Sequence, residues 1–131
     1  MIIAVKPKKI ESFKDLYAWQ KGHKLVLAIY KITQTFPREE RFGLTNQIRR
    51  SAVSFTSNIA EGFSRKSYKE KVQFYSMALG SLTELQNQLL ISKDSKYITI
   101  DIFNEVDSIT IEVSKITNGL IKSSKSLIHN S

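Results

Sequence analysis

"YITIDIFNEVDSITIEVSKITNGL", residues 97–120, carries two periods at once, and the fold class turns on which of them governs. Stepped by four and three, Ile102, Val106, Ile109, Val113, Ile116 and Leu120 form the heptad seam of a helical bundle. Stepped by two, "YITIDI" and "ITIEV" alternate as a strand does, and the β-branched content is high. The seam continues unbroken to Leu120, so its length favours a helix; a strand near residues 97–103 is the rival reading.

Upstream, the periods are less ambiguous. "SYKE", residues 67–70, is a capping box that opens a helix with Val72, Tyr75, Leu79, Leu82 and Leu89 on one face, and Gly80 with Ser81 offers a notch for close approach. "GLTNQIRRSAVSFTSNIAEGFSRKS", residues 43–67, holds a further helix. Thr45 is its expected cap, Leu44, Ile48, Ala52, Phe55 and Ile59 its buried row, and Gly62 its expected end. Ser12 and Asp15 form a variant capping box, after which the chain runs to Pro37 with no breaker stronger than Gly22. In that segment Leu16, Trp19, His23, Val26 and Tyr30 form one row and Leu25, Ile29, Ile32 and Phe36 a second, which predicts two buried sides. "PREERFG" is a polar link. Four segments with short connections predict an all-α, antiparallel up-down-up-down four-helix bundle over residues 12–126, with a basic arm at 1–11 and a frayed tail at 127–131.

The 131 residues suffice for one domain with a real core, and the absence of cysteine excludes disulfides and thiolate metal sites and suits a reducing cytoplasm. The apolar run in "MIIAVKPKKI" is too short for a signal peptide, and no stretch has the length of a membrane span. Net charge is +8 and the pI about 9.7, an attraction for phosphate polyanions. The charge is uneven: residues 1–75 hold 15 Lys and Arg against 6 Asp and Glu, whereas residues 76–131 hold 5 against 6. The predicted topology gathers Lys6, Lys8, Lys9, Lys14, Arg65, Lys66, Lys69, Lys71, Lys122 and Lys125 at one end, opposed by Glu11, Asp15 and Glu70. At the other end Arg38, Arg41, Lys93 and Lys96 balance Glu39, Glu40, Asp94 and Asp101. Lys8, Lys9, Arg65, Lys66, Lys69 and Lys71 are therefore the candidate phosphate ligands, and an RNA or single-stranded DNA bound through them would be held with little sequence preference.

Residues 43–67 also carry an unusual polar stripe. At about 100° per residue, Gln47, Arg50, Ser54, Asn58 and Glu61 align beside the apolar row. Arg49 points to another flank, with Val53, Thr56 and Ala60. Solvated stripes are usually built from Lys and Glu; Asn, Gln, Ser and Arg make directional hydrogen bonds at contacts. These six residues are thus expected to meet a helix or a neighbouring subunit. Arg50 and Glu61 lie about 16 Å apart along the axis, so each needs a separate partner.

"FKDLYAWQKGHKL" at 13–25, "FPREERFGLTNQIRRSAVSFTSNIAEGFSR" at 36–65 and "FYSMALGSLTELQNQL" at 74–89 resemble the bacterial four-helix-bundle proteins encoded by intervening sequences in large-subunit ribosomal RNA genes. The likeness covers about the first 90 residues. It implies a cytoplasmic bundle that assembles as a closed ring of five. It also implies distant kinship to the accessory protein of diversity-generating retroelements, a basic pentamer that binds nucleic acid and partners a reverse transcriptase. Many relatives have proline where this chain has Thr56, so a bend of the second helix there does not carry over.

Nothing in the sequence points to catalysis. No Walker loop, dinucleotide fingerprint or HExxH is present, and the carboxylates are too dispersed to propose a metal or an acid/base pair. His23 falls in the apolar row of the first helix, where a core or interface histidine is expected, and His129 falls in the tail. The expected function is non-enzymatic and cofactor-free: a nucleic-acid-binding homo-oligomer, or else an adaptor ring for a protein such as a reverse transcriptase.

Overall fold

The structure, a computed structural model, describes residues 9–128. Four helices, α1 (Tyr17–Thr33), α2 (Leu44–Ser64), α3 (Tyr68–Asp94) and α4 (Ile100–Lys125), pack in chain order, and α4 closes the bundle against α1. No strand occurs among the described residues. The ambiguous stretch is helical from Ile100 onward, because Thr99 accepts from the Ile102 amide at 3.1 Å and caps the first turn.

Its buried row is not quite the one the hydrophobic count picks out. Val106 and Val113 are buried, but the others at full depth are Phe103, Thr110, Thr117, Ile121 and Ser124, while Ile102, Ile109, Ile116 and Leu120 are partly buried around them. The hydroxyls of Thr110, Thr117 and Ser124 donate to carbonyls three or four residues back, at 2.7, 2.8 and 2.8 Å. Satisfied within their own helix, they can face the core as small β-branched or near-apolar groups.

The first helix departs from expectation. The Ser12–Asp15 capping box is present, with Asp15 Oδ2 accepting from the Ser12 amide at 3.0 Å, yet it opens only a 3₁₀ turn, Phe13–Asp15. Leu16 is extended, and α1 starts at Tyr17. Within α1 the buried side holds Ala18, Gly22, Leu25, Val26, Ile29 and Thr33. Of the row Leu16, Trp19, His23, Val26 and Tyr30 only Val26 is buried, so the second buried side is missing.

Helix α2 carries its predicted core row, Leu44, Ile48, Ala52, Phe55 and Ile59, all buried. Its cap is not Thr45, which is buried in the first turn; Glu40 Oε1 accepts from the Leu44 amide at 3.3 Å instead. The other oxygen of Glu40 accepts from the Tyr97 hydroxyl at 3.0 Å, tying the α1–α2 link to the α3–α4 link. That bond pushes the Tyr97 pKa upward, since ionised phenol could no longer donate to the carboxylate. Helix α2 is unbroken through Thr56 and ends at Ser64, two residues past Gly62. Gly62 serves packing: a Cβ there would lie 2.7 Å from the Tyr75 ring of α3. Gly80 makes no notch, because it is exposed and nothing lies within 4 Å of an added Cβ.

Burial of Tyr75 between α2 and α3, with a smaller push from Tyr68, raises its phenol to about 12. The folded value lies above the unfolded one, so the unfolded chain loses this proton first and stability falls as pH rises from about 10. Urea unfolding at rising alkaline pH should show a smaller decline for Tyr75→Phe than for the parent. Equal declines would mean that Tyr75 does not titrate differently in the two states.

Candidate functional site

Antiparallel order brings the starts of α1 and α3 and the ends of α2 and α4 to one end of the bundle. Lys9, Lys14, Lys66, Lys69, Lys122 and Lys125 belong to this end and are exposed. Lys6 and Lys8, expected here too, lie outside the described residues. Two of the three opposing carboxylates are engaged in local structure. Asp15 accepts from the Glu11 and Ser12 amides at 2.9 and 3.0 Å. Glu70 accepts from the Ser67 hydroxyl at 3.2 Å, while Ser67 Oγ caps the Glu70 amide at 3.2 Å.

Arg65 and Lys71 are placed differently from the other cations of this end. The α2–α3 connection is only Arg65, Lys66 and Ser67, so the last carbonyls of α2 need partners close by. Lys71 reaches back from the first turn of α3 and donates to the Phe63 carbonyl at 2.6 Å, with its ammonium 5.2 Å from the Phe63 ring centre. Burial of the amine lowers its pKa. Arg65 pairs with Glu61 at 2.5 Å and lies 4.4 Å over the Phe74 ring, joining the end of α2 to α3. Both cations brace the turn.

The polar stripe of α2 runs along the seam with α3. Ser54 Oγ lies 2.8 Å from Ser81 Oγ, and Asn58 Nδ2 donates to the Ser54 carbonyl at 2.9 Å. Glu61 has its partner in Arg65, four residues on. Arg49 points to the other flank: its Nε donates to Thr33 Oγ1 of α1 at 2.8 Å, and the guanidinium lies 4.8 Å from the Tyr30 ring centre. Gln47 and Arg50 stay exposed, and Arg50 has no hydrogen bond or ion pair among the described residues. They line a cleft of ≈ 470 Å³ with Phe42, Ser51, Glu84 and Gln88. Gln88 is buried there, and its Oε1 has no hydrogen-bond partner among the described residues.

His23 is not a core residue of this chain. It is exposed and stacks on Trp19, ring centres 4.8 Å apart and planes 14° from parallel. Trp19 also packs against Phe13 in a T-shaped arrangement, ring centres 5.3 Å apart. A Trp and a His four residues apart on a helix are neighbours on its surface, and that spacing is the signal a purely hydrophobic count passes over. Among the described residues, no three His, Cys, Asp or Glu are grouped as a metal site, and no helix is long and apolar enough to cross a membrane.

No curated protein matches the chain. A crystal structure of a protein of unknown function from the S23 ribosomal protein family of Bacteroides thetaiotaomicron shares the fold, with a TM-score of 0.74 at 23% identity over 80% of this chain and 95% of that one. The family model described as 23S rRNA-intervening sequence protein matches residues 14–119, which include all of α1, α2 and α3 and most of α4. With the match spanning most of its length, this chain belongs to the 23S rRNA-intervening sequence protein family.

Proposed function

We propose that the protein is a non-enzymatic, cytoplasmic nucleic-acid-binding module that holds RNA or single-stranded DNA by its phosphates and works as a closed homo-oligomer. The observation that carries this reading is the set of exposed lysines at one end of the bundle, Lys9, Lys14, Lys66, Lys69, Lys122 and Lys125, beside carboxylates mostly engaged in helix caps. Among the described residues these ammonium groups have no carboxylate partner and are free to displace counterions from a polyanion, whereas Arg65 and Lys71 are committed to the turn. Oligomerisation would repeat this end around a ring and turn several weak contacts into one avid surface.

Binding should be governed by salt. The logarithm of affinity for a single strand should fall linearly with the logarithm of salt concentration, by about 0.7 for each phosphate neutralised. Fluorescence anisotropy with labelled RNA over a salt series measures the slope; binding with a slope near zero, or no binding, would sink the proposal.

A protein partner, such as a reverse transcriptase, is the second reading, and the cleft around Arg50 favours it. The Arg50 guanidinium has no hydrogen bond or ion pair among the described residues and Phe42 in the same lining is 87% exposed, an aromatic and an arginine of the kind that anchor interfaces. A neighbouring subunit would meet the same chemistry. Light scattering on purified protein tests assembly: a monomer at micromolar concentration would remove the ring, and an Arg50→Glu variant that assembles as the parent does would place the contact elsewhere.

A further inference from the structure

We propose that the Trp19–His23 stack is a platform for an unpaired nucleobase, so that the basic end takes single-stranded nucleic acid in preference to duplex; this rests on the nucleic-acid reading above. The two rings are nearly parallel, 14° apart at 4.8 Å, and His23 is the exposed member. Trp19 is half-buried and packs T-shaped against Phe13, so the stack stands on a fixed base. A flat aromatic pair of this kind is extended most naturally by another flat ring, and every nucleobase offers one.

Charge supplies the rest of the argument. Phe13 belongs to the 3₁₀ turn that also carries Lys14, and the Lys14 carbonyl accepts from Gln20 Nε2 at 2.9 Å, which fixes that turn against the start of α1. Lys14 is exposed and adjoins Phe13, whose ring packs on Trp19, so the turn beneath the stack carries a cation available to the phosphates that flank a stacked base. Leu27, four residues beyond His23 and 56% exposed, continues the surface with an apolar side chain. Bases inside a duplex already have both faces stacked, so only an unpaired base can use the platform.

Trp19 is the sole tryptophan, so its fluorescence reports on the platform directly. Three probes of equal length are titrated: an oligouridylate, an abasic strand with the same phosphates, and a duplex. The oligouridylate should quench Trp19 and bind about five- to a hundredfold more tightly than the abasic strand, the range measured for removing one base–aromatic stack. The duplex should leave the fluorescence unchanged. His23→Ala should erase the difference between oligouridylate and abasic strand, and His23→Phe should restore it. Equal affinity for the two strands without quenching would overturn the platform and leave phosphate binding standing. Binding of neither strand would remove the nucleic-acid reading and the platform with it. A change of assembly state in His23→Ala would show that a neighbouring subunit covers the ring, and would overturn the platform too.

Discussion

Replacing Lys66, Lys69 and Lys122 together by glutamate should lower affinity for single-stranded RNA by at least about a hundredfold at moderate salt, while the helical circular-dichroism spectrum stays as in the parent. Near 0.1 M salt each lost phosphate contact removes about 0.7 of a decade, so three lost contacts remove about two decades before repulsion by the new carboxylates is added. The three lysines suit the test because all are exposed and none of their side chains makes an ion pair or hydrogen bond among the described residues. Arg65→Glu would be a poorer choice, since it breaks the Glu61 pair and the Phe74 contact that brace the α2–α3 turn. The salt slope should fall by about two as well, which separates lost phosphate contacts from partial unfolding. Unchanged affinity and slope would reduce the basic end to a device for solubility.

What could be read from the sequence depended on whether a residue's role is local. The Ser67 cap and the α2 core row follow from spacings of three and four, and a reader of one chain can count those, whereas the Thr99 cap that starts α4 lies in the stretch that also alternates as a strand does. The capping box at Ser12 was equally legible, but its extent was not: nothing in the spacing says that Leu16 is extended and ends the turn. Thr110 and Thr117 count as polar in any hydropathy pattern, yet both are fully buried because their hydroxyls are satisfied by their own helix. Glu40 and Tyr97 are 57 residues apart, so their bond, which pins two links together, has no local signature. The charge count at the basic end could not distinguish the cations that brace the turn, Arg65 and Lys71, from those left exposed. That distinction depends on where the Phe63 carbonyl and the Phe74 ring lie.

The second large effect is expected where α1 meets α2, and it changes sign with the background. Gly22 is buried, and a Cβ added there would overlap the ring of Phe55, itself fully buried in the core. Alanine in a helix interior is worth up to about 1 kcal/mol over glycine when nothing obstructs it. Here the ring has nowhere to go, and forcing a methyl into a packed core costs about 1–3 kcal/mol. Gly22→Ala should therefore lower the urea midpoint. Gly80→Ala, the same substitution on the open face of α3 with nothing within 4 Å of the new methyl, should raise it. Phe55→Ala alone should cost about 3–5 kcal/mol, as truncation of a buried phenylalanine does. With the ring gone, the obstacle to a methyl at position 22 is reduced to Thr56 Cγ2 at 3.2 Å, which need give only a little. In the Phe55→Ala background Gly22→Ala should then be close to neutral or mildly stabilising, and the two changes should couple by roughly 1–3 kcal/mol. The full cycle by urea unfolding decides the matter. Additive effects of Gly22→Ala and Phe55→Ala would mean that α1 does not approach α2 through Gly22 and the Phe55 ring.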